Sequence, residues 1–380
     1  MPAITNVNEL QAMENDLAGD YWLANDIDAS ATSGWNGGAG FVPIGQGVPY
    51  FTGSLDLKGH TISGLFINRP GTDYIGLFGI VATGAIIDDL KLEDVNITGD
   101  DYVGGVAGYI YDGADVTDSS VTGSITGDLR VGGFTGWSSG ASGKHNTFTR
   151  CHTNVAVTGD TAGGFVYGAG FTDFAICYSS GTVEATTSGG GFIRTAYGAN
   201  CVVTFNDCYS RSAVHVGGGD CAGFIHDTGV WGTGSVAITN CYSTGAVSSD
   251  AGDAYGFIYG VDLATTITAC FWDTETSGTE TSNGGTGKTT SQMKTRLTFT
   301  SAGWDFIIIW AITRIMNNGY PYFRTMPPGP LPDSPRRTVA VQDKITLECI
   351  RNVEMASGGR FYIDEEGKAV YKSRYARNPS

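Results

Sequence analysis

What this sequence lacks narrows its class before any motif is read. No stretch of eighteen apolar residues occurs, so no segment has the length of a membrane-crossing helix. The opening Met1-Pro2-Ala3-Ile4-Thr5 shows no basic, apolar or small-residue zone of a secretory signal. The expectation is therefore export by another route, origin in a longer product, or assembly inside a cell as part of a particle. Charged residues make up only 16%, and Leu, Lys and Glu are sparse, which argues against a helical protein. Eight Cys in 380 residues are too few for a disulfide framework. Positive charge is scarce too: the formal net charge is −16, which would repel nucleic acid and favours a neutral or cationic partner.

What is abundant is Gly, at 57 residues, together with Thr, Ser, Val and Tyr, a mixture that favours strands and turns. One short pattern recurs: Gly76-Leu77-Phe78-Gly79, Gly105-Val106-Ala107-Gly108, Gly133-Phe134-Thr135-Gly136, Gly164-Phe165-Val166, Gly191-Phe192-Ile193, Gly223-Phe224-Ile225 and Gly256-Phe257-Ile258. Successive first glycines are 29, 28, 31, 27, 32 and 33 residues apart. A second pattern keeps step with it, in Arg150-Cys151-His152, Cys177-Tyr178-Ser179, Cys208-Tyr209-Ser210, Cys241-Tyr242-Ser243 and Cys270-Phe271. Such a unit contains about three short strands cut by turn residues and cannot bury its own apolar face. Stacking equivalent strands from successive units would close a continuous core. The fold expected is all-β: a parallel β-helix of about seven to eight coils, rising ~4.8 Å per coil. Leu77, Val106, Phe134, Phe165, Phe192, Phe224 and Phe257 would form an inward column.

The expected organisation is an N-terminal cap over residues 1–30, the β-helix over 31–275, a closing segment over 276–326, a Pro-rich linker over 327–335 and a small charged α+β tail over 336–380. Asn6 and Glu9 suggest the cap of a helix over 7–18, with Leu10, Met13 and Leu17 facing the first coil. The aromatics from Trp304 to Phe323 would close the other end. In the tail, nine Lys or Arg and six Asp or Glu replace the acidic balance of the remaining residues. A helix is expected over Ile345–Met355, with a hairpin after Gly359 that turns near Glu366-Gly367.

The glycine motif and its copies resemble the GLUG repeat of bacterial surface, adhesin-like and secreted proteins, including regions attached to some immunoglobulin A peptidases. Flanking stretches share the likeness: Tyr21-Trp22-Leu23-Ala24-Asn25-Asp26-Ile27-Asp28, Phe41-Val42-Pro43-Ile44-Gly45, Gly59-His60-Thr61-Ile62, Trp272-Asp273 through Lys288-Thr289-Thr290, and Asn318-Gly319-Tyr320-Pro321-Tyr322. The resemblance spans residues 1–324. It implies a non-catalytic β-helical stalk or binding surface whose catalytic neighbours lie in other domains. Later copies depart from the repeat, replacing the fourth glycine with Tyr167, Arg194, His226 and Tyr259. Residues 336–380 are similar to a short piece of bacteriophage tail proteins, which implies a virion component.

Candidate chemistry is thin. Gly284-Gly285-Thr286-Gly287-Lys288-Thr289 suggests a phosphate loop, but Ser282 stands where its first glycine should be and no apolar strand precedes it. Cys221 and His226 are five apart, but no His sits at metal-ligand spacing with a proper partner. Asp88-Asp89, Glu93-Asp94 and Asp100-Asp101 offer calcium ligands between coils, with solvated loops as the plainer reading; no other cofactor is expected. Cys151, Cys177, Cys208, Cys241 and Cys270 should stack as buried thiols; spacing also permits disulfides between neighbouring coils, although in-register parallel side chains rarely point at one another correctly. His152, Tyr178, Tyr209, Tyr242 and Phe271 should stack on the opposite side, either as a ligand-facing wall for sugar rings or simply on one another. The functional expectation is a non-enzymatic structural or adhesive protein, at a cell surface or in a virion. Its partners would be a glycan or protein ligand, further copies of itself or virion components, with neither nucleic acid nor a membrane span. The alternative is a polysaccharide lyase or glycoside hydrolase, which needs two facing carboxylates that the sequence does not single out.

Overall fold

The computed structural model describes residues 2–326 and the two strands 360–363 and 369–372; the linker and the Ile345–Met355 helix expectation fall outside the described residues. The chain divides into two compact units, residues 1–328 and 329–380. The first is a parallel β-solenoid of about eight turns with three sheets. One has ten strands, from Ala3–Ile4 and Asp20–Leu23 to Thr265–Thr268. A second has seven, from Phe78–Val81 to Ile258–Gly260. The third and longest runs from Ile27–Asp28 to Thr286–Lys288 and includes His152–Gly163 and Tyr178–Gly190. Every pairing in these sheets is parallel and joins one coil to the next, as in Thr135↔Val166, Val166↔Ile193 and Ile193↔Ile225. In the second unit, Arg360–Ile363 pairs antiparallel with Ala369–Lys372, in line with the expected hairpin.

The marker column lies in the core as expected. Phe134, Phe165, Phe192, Phe224 and Phe257 are fully buried and stack with ring centroids 4.9 to 5.1 Å apart, close to the spacing of paired strands. A second ladder of Phe148, Phe174 and Phe205 meets it edge to face at 5.7 to 6.0 Å. Each buried ring contributes on the order of 1.5 to 3 kcal/mol of transfer free energy before entropy is subtracted.

The marker glycines have a specific cause. A β-carbon on Gly133, Gly164, Gly191 or Gly223 would overlap the carbonyl oxygen of the marker glycine one coil further on. That same carbonyl accepts a hydrogen bond from the inward hydroxyl of the third sheet: Thr153 to Gly164 at 2.8 Å, Ser179 to Gly191 at 2.7 Å and Ser243 to Gly256 at 2.6 Å. Glycine column and hydroxyl column therefore interlock across the core, and the Cys-Tyr-Ser pattern keeps step with the glycine pattern because the two touch.

The cysteines mark the corner between the ten-stranded and the longest sheet. The residue before each takes a left-handed conformation, with φ of 55° at Arg150, 57° at Ile176, 53° at Asp207, 54° at Asn240 and 53° at Ala269. That turn brings the thiol to the carbonyl two residues before the cysteine, which already accepts the N–H of the preceding coil's corner residue, and the thiol donates to it as well, at 3.3 Å in Cys177 and 3.2 Å in Cys241. Ser119 does the same one coil earlier, at 2.7 Å. All seven described cysteines are buried and unbridged, and burial pushes the thiols of Cys151, Cys177 and Cys241 well above their ordinary range.

Both end expectations need correction. Asn6 caps the first helix by accepting from the backbone N–H groups of Asn8 and Glu9 at 3.0 and 3.1 Å, but Val7–Gln11 passes into a tighter 3-10 turn at Ala12–Asn15. Leu10, Met13 and Leu17 are buried as expected. The ladder, however, already includes Ala3–Ile4, Asp20–Leu23 and Ile27–Asp28, so the solenoid starts inside the segment expected to be a separate cap. At the other end the last rung is Thr286–Lys288 against Phe271–Asp273, with Gly285 over the ring of Phe257. The aromatic segment after it does not cover that end. It folds back along the side of the solenoid, where Met293, Phe299, Trp304, Phe306, Trp310, Tyr320 and Phe323 form a second core with Tyr178, Tyr209, Tyr242 and Phe271.

Candidate functional site

The column expected to face a ligand is the floor of that second core. His152, Tyr178, Tyr209 and Tyr242 do stack, at 4.6, 4.7 and 4.9 Å. Tyr209 and Tyr242 are nevertheless fully buried, and Tyr178 and Phe271 each keep only 7% of their surface. The Tyr209 ring lies 5.2 Å from Phe323, and the Tyr242 hydroxyl donates to the carbonyl of Pro321 and accepts from the Asn317 amide at 2.9 Å. The returning segment is as aromatic as the column and covers it, so these rings cannot meet a sugar. His152, where the column emerges, has a sealed and unpartnered Nδ1, and burial pushes its imidazole down to about 4.

Several other candidates are also taken up by the fold, while Glu93 and Asp94 are exposed. Asp88 accepts from Thr117, Asp89 pairs with Lys91 at 2.7 Å, and Asp101 pairs with Arg130. Among the described residues no three His, Cys, Asp or Glu side chains converge as metal ligands. Cys221 donates to the Ser248 carbonyl at 3.3 Å, while the His226 ring packs 4.9 Å from Tyr259. Within Gly284–Thr289, Thr286–Lys288 is a strand, and Thr289 caps a four-residue helix through a reciprocal bond with Gln292.

The surface that does offer aromatic side chains to solvent is the outer face of the seven-stranded sheet, which sequence reasoning missed. In-register outward positions read Ile80, Tyr109, Trp137, Gly168, Thr195, Asp227 and Gly260. Beside them the left-handed corners before the first three marker glycines carry Tyr74, Tyr102 and Arg130, with φ of 57°, 56° and 46°. Tyr74 and Tyr102 stack at 5.0 Å with 11° between planes, and the Arg130 guanidinium lies over the Tyr102 ring at 4.6 Å. Tyr109 meets Tyr102 edge to face at 5.7 Å. Trp137 lies across Gly168, at a distance that a β-carbon there would forbid, and its ring is 5.7 Å from Tyr167. Tyr74, Tyr102, Tyr109, Trp137 and Tyr167 are half-buried, each keeping part of its surface open. Further along, Tyr197 and Trp231 pair edge to face at 4.9 Å and are 49% and 48% exposed.

Charged groups border the rings. Arg194 pairs with Asp227 at 2.9 Å and donates to Ser188 at 3.0 Å. Burial works to raise the Asp227 carboxyl, but His226 at 3.4 Å, Arg194 and the Thr195 hydroxyl together overcome it and hold the group below its ordinary value. At Asp101 burial prevails over Arg130, and the carboxyl is raised. Burial also raises the phenols of Tyr102 and Tyr109, so both stay neutral near neutral pH.

This band also accounts for the fourth glycine of the motif. A β-carbon on Gly108 or Gly136 would strike the backbone of Tyr74 or Tyr102. At Gly79 the backbone of Gln46 takes the place of that corner, and in the later coils the position becomes Tyr167, Arg194, His226 and Tyr259. The signal was present in the sequence, four residues after each marker glycine and two or three before it, but only the strand register shows that these positions share one face.

Residues 99–126 match the GLUG motif. The chain is 43% identical over 141 residues to Halomucin of Haloquadratum walsbyi, a match covering 35% of this chain and 2% of that protein. It is 38% identical over 78 residues to a protein of Evansella cellulosilytica provisionally described as a Gly-rich membrane protein, covering 20% of this chain and 9% of that one. It is 29% identical over 126 residues to an immunoglobulin A1 protease of Streptococcus sanguinis, covering 33% and 6%. The chain thus matches under a tenth of the length of each. A crystal structure from Bacteroides ovatus, provisionally described as an immunoglobulin A1 protease, superposes with a TM-score of 0.54 at 15% identity, over 85% of this chain and 92% of that one. That likeness is one of fold.

Proposed function

We propose, from a β-solenoid carrying a GLUG motif as the premise, that this chain is a non-catalytic binding module that holds a glycan along the outer face of its seven-stranded sheet. Its place is outside the cell, on a bacterial surface or in a virion. The observation that carries the reading is the half-open aromatic band of Tyr74, Tyr102, Tyr109, Trp137 and Tyr167. Ring faces attract the C–H faces of sugars, and aromatic side chains are enriched where one surface must be both apolar and wet. The Arg194–Asp227 and Arg130–Asp101 pairs beside the rings supply planar donors and acceptors for sugar hydroxyls. No described helix is long and apolar enough to cross a membrane. Stacking of coils holds neighbouring rings 5.0 to 5.7 Å apart, so ordering them costs little on binding.

Titration of the full chain with neutral oligosaccharides selected on a glycan array tests this. Trp137→Ala and Tyr109→Ala should each weaken binding about tenfold, or ~1.4 kcal/mol, with the far-ultraviolet circular dichroism unchanged. Unchanged binding by both variants, or no glycan bound at all, would refute the reading. Release of reducing or unsaturated ends from a bound polysaccharide would replace it with a cleaving enzyme.

A further inference from the structure

Charge is distributed unevenly within the first unit. Residues 1–287 hold eight Lys or Arg against thirty Asp or Glu, whereas residues 288–324, the rung end and the returning segment, hold five against one. Of those five, Lys288 lies over the Phe271 ring at 5.8 Å, and Arg296 and Arg324 donate to the Phe306 carbonyl at 3.5 and 2.9 Å. The other two, Lys294 and Arg314, meet Arg211 of the solenoid around a cleft of about 470 Å³. Thr244, Thr276 and Asn318 complete its polar lining.

Among the described residues none of these three cations forms an ion pair. Arg211 donates to the side-chain oxygen of Asn317, and the Lys294 ammonium sits 4.7 Å over the Tyr320 ring, contacts that position charge without neutralising it. The acids nearby are committed elsewhere. Asp273 accepts from Tyr320, Thr290 and the backbone of Glu275 and Thr276, at 2.7 to 3.1 Å, and Glu275 accepts from the backbone of Thr290 at 2.9 Å. A second hollow of about 540 Å³ abuts the first and shares Lys294, Arg314 and Asn318 with it. A chain ligand can therefore run from one to the other with an acidic group at the shared cations.

We infer that the cleft bounded by Arg211, Lys294 and Arg314 binds the carboxylate or sulfate of an acidic saccharide. Three cations without an ion pair among the described residues, in an otherwise acidic unit, attract an oxyanion, and two arginines can hold one through paired N–H donors. The hydroxyl and amide lining suits the neighbouring sugar hydroxyls. The choice of a saccharide over a free anion rests on the reading of this chain as a glycan binder, but the site lies apart from the aromatic band.

The test is calorimetric titration of the full chain with tetragalacturonate, a heparin-derived tetrasaccharide, cellotetraose and inorganic sulfate. It is repeated in a Trp137→Ala background to remove any contribution of the band. At least one acidic oligosaccharide should bind at low salt, weaken on going to physiological salt, and lose tenfold or more in affinity in the double variant Lys294→Gln, Arg314→Gln, while Lys58→Gln leaves it unchanged. Both cleft residues are exposed, and unchanged melting of the double variant confirms that it folds. Absence of binding, equal binding by the double variant, or equal binding of cellotetraose would overturn the inference. Sulfate binding as tightly as the oligosaccharides would reduce the site to a free-oxyanion site and overturn the saccharide assignment. None of these outcomes bears on the Trp137 dependence that tests the band.

Discussion

At the scale of single residues, the governing contact is one that side chains do not make. The marker glycines Gly133, Gly164, Gly191 and Gly223 bring backbone against backbone, each filling with the next coil's carbonyl the space a β-carbon would need. Gly164→Ala should therefore cost about 1 to 3 kcal/mol through overpacking, although alanine adds a single methyl group. Urea denaturation would show it, and a midpoint equal to the parent's would contradict the interlock. The thiols follow the same logic. They recur where a small buried side chain fits the corner and adds a second donor to a carbonyl already paired with the preceding coil, a place that Ser119 also fills.

At the scale of elements, the returning segment is the informative one. Its rings and those of the solenoid are mutually covering: Trp310 is fully buried, stacks 4.4 Å from Phe323 and donates its indole N–H to Asp207 at 2.8 Å. Trp310→Ala should destabilise that second core by about 3 to 5 kcal/mol. It should open Tyr209 and Tyr242 to solvent before the coils themselves melt. A tyrosine fluorescence or ultraviolet-difference transition below the circular-dichroism transition would report this; a single coincident transition would show that segment and coils unfold as one. The column is a docking floor because residues 293–323 are apolar enough to need burial and long enough to reach back.

At the scale of the whole solenoid, each coil touches mainly its neighbours, so stability is approximately a sum of coil terms and interface terms. The Phe ladder runs from Phe134 to Phe257 and is doubled by Phe148, Phe174 and Phe205, and the returning segment covers part of the same stretch. Hydrogen exchange should accordingly be slowest in the backbone of coils from about Val166 to Ile225 and faster toward Ala3. Uniform protection from the first rung to the last would indicate one cooperative block instead.

The repeat, its parallel stacking, the inward Phe column and the buried thiols were legible in the sequence, because each follows from the spacing of like residues and from the need of a thirty-residue unit to share its core. Which outward column meets solvent was not legible. Tyr209 and Tyr109 look equally available as letters, and only the path of a segment about a hundred residues downstream, folding back over one face and leaving another open, separates them. The basic cleft has the same origin: Arg211, Lys294 and Arg314 are far apart along the chain, and tertiary packing brings them together.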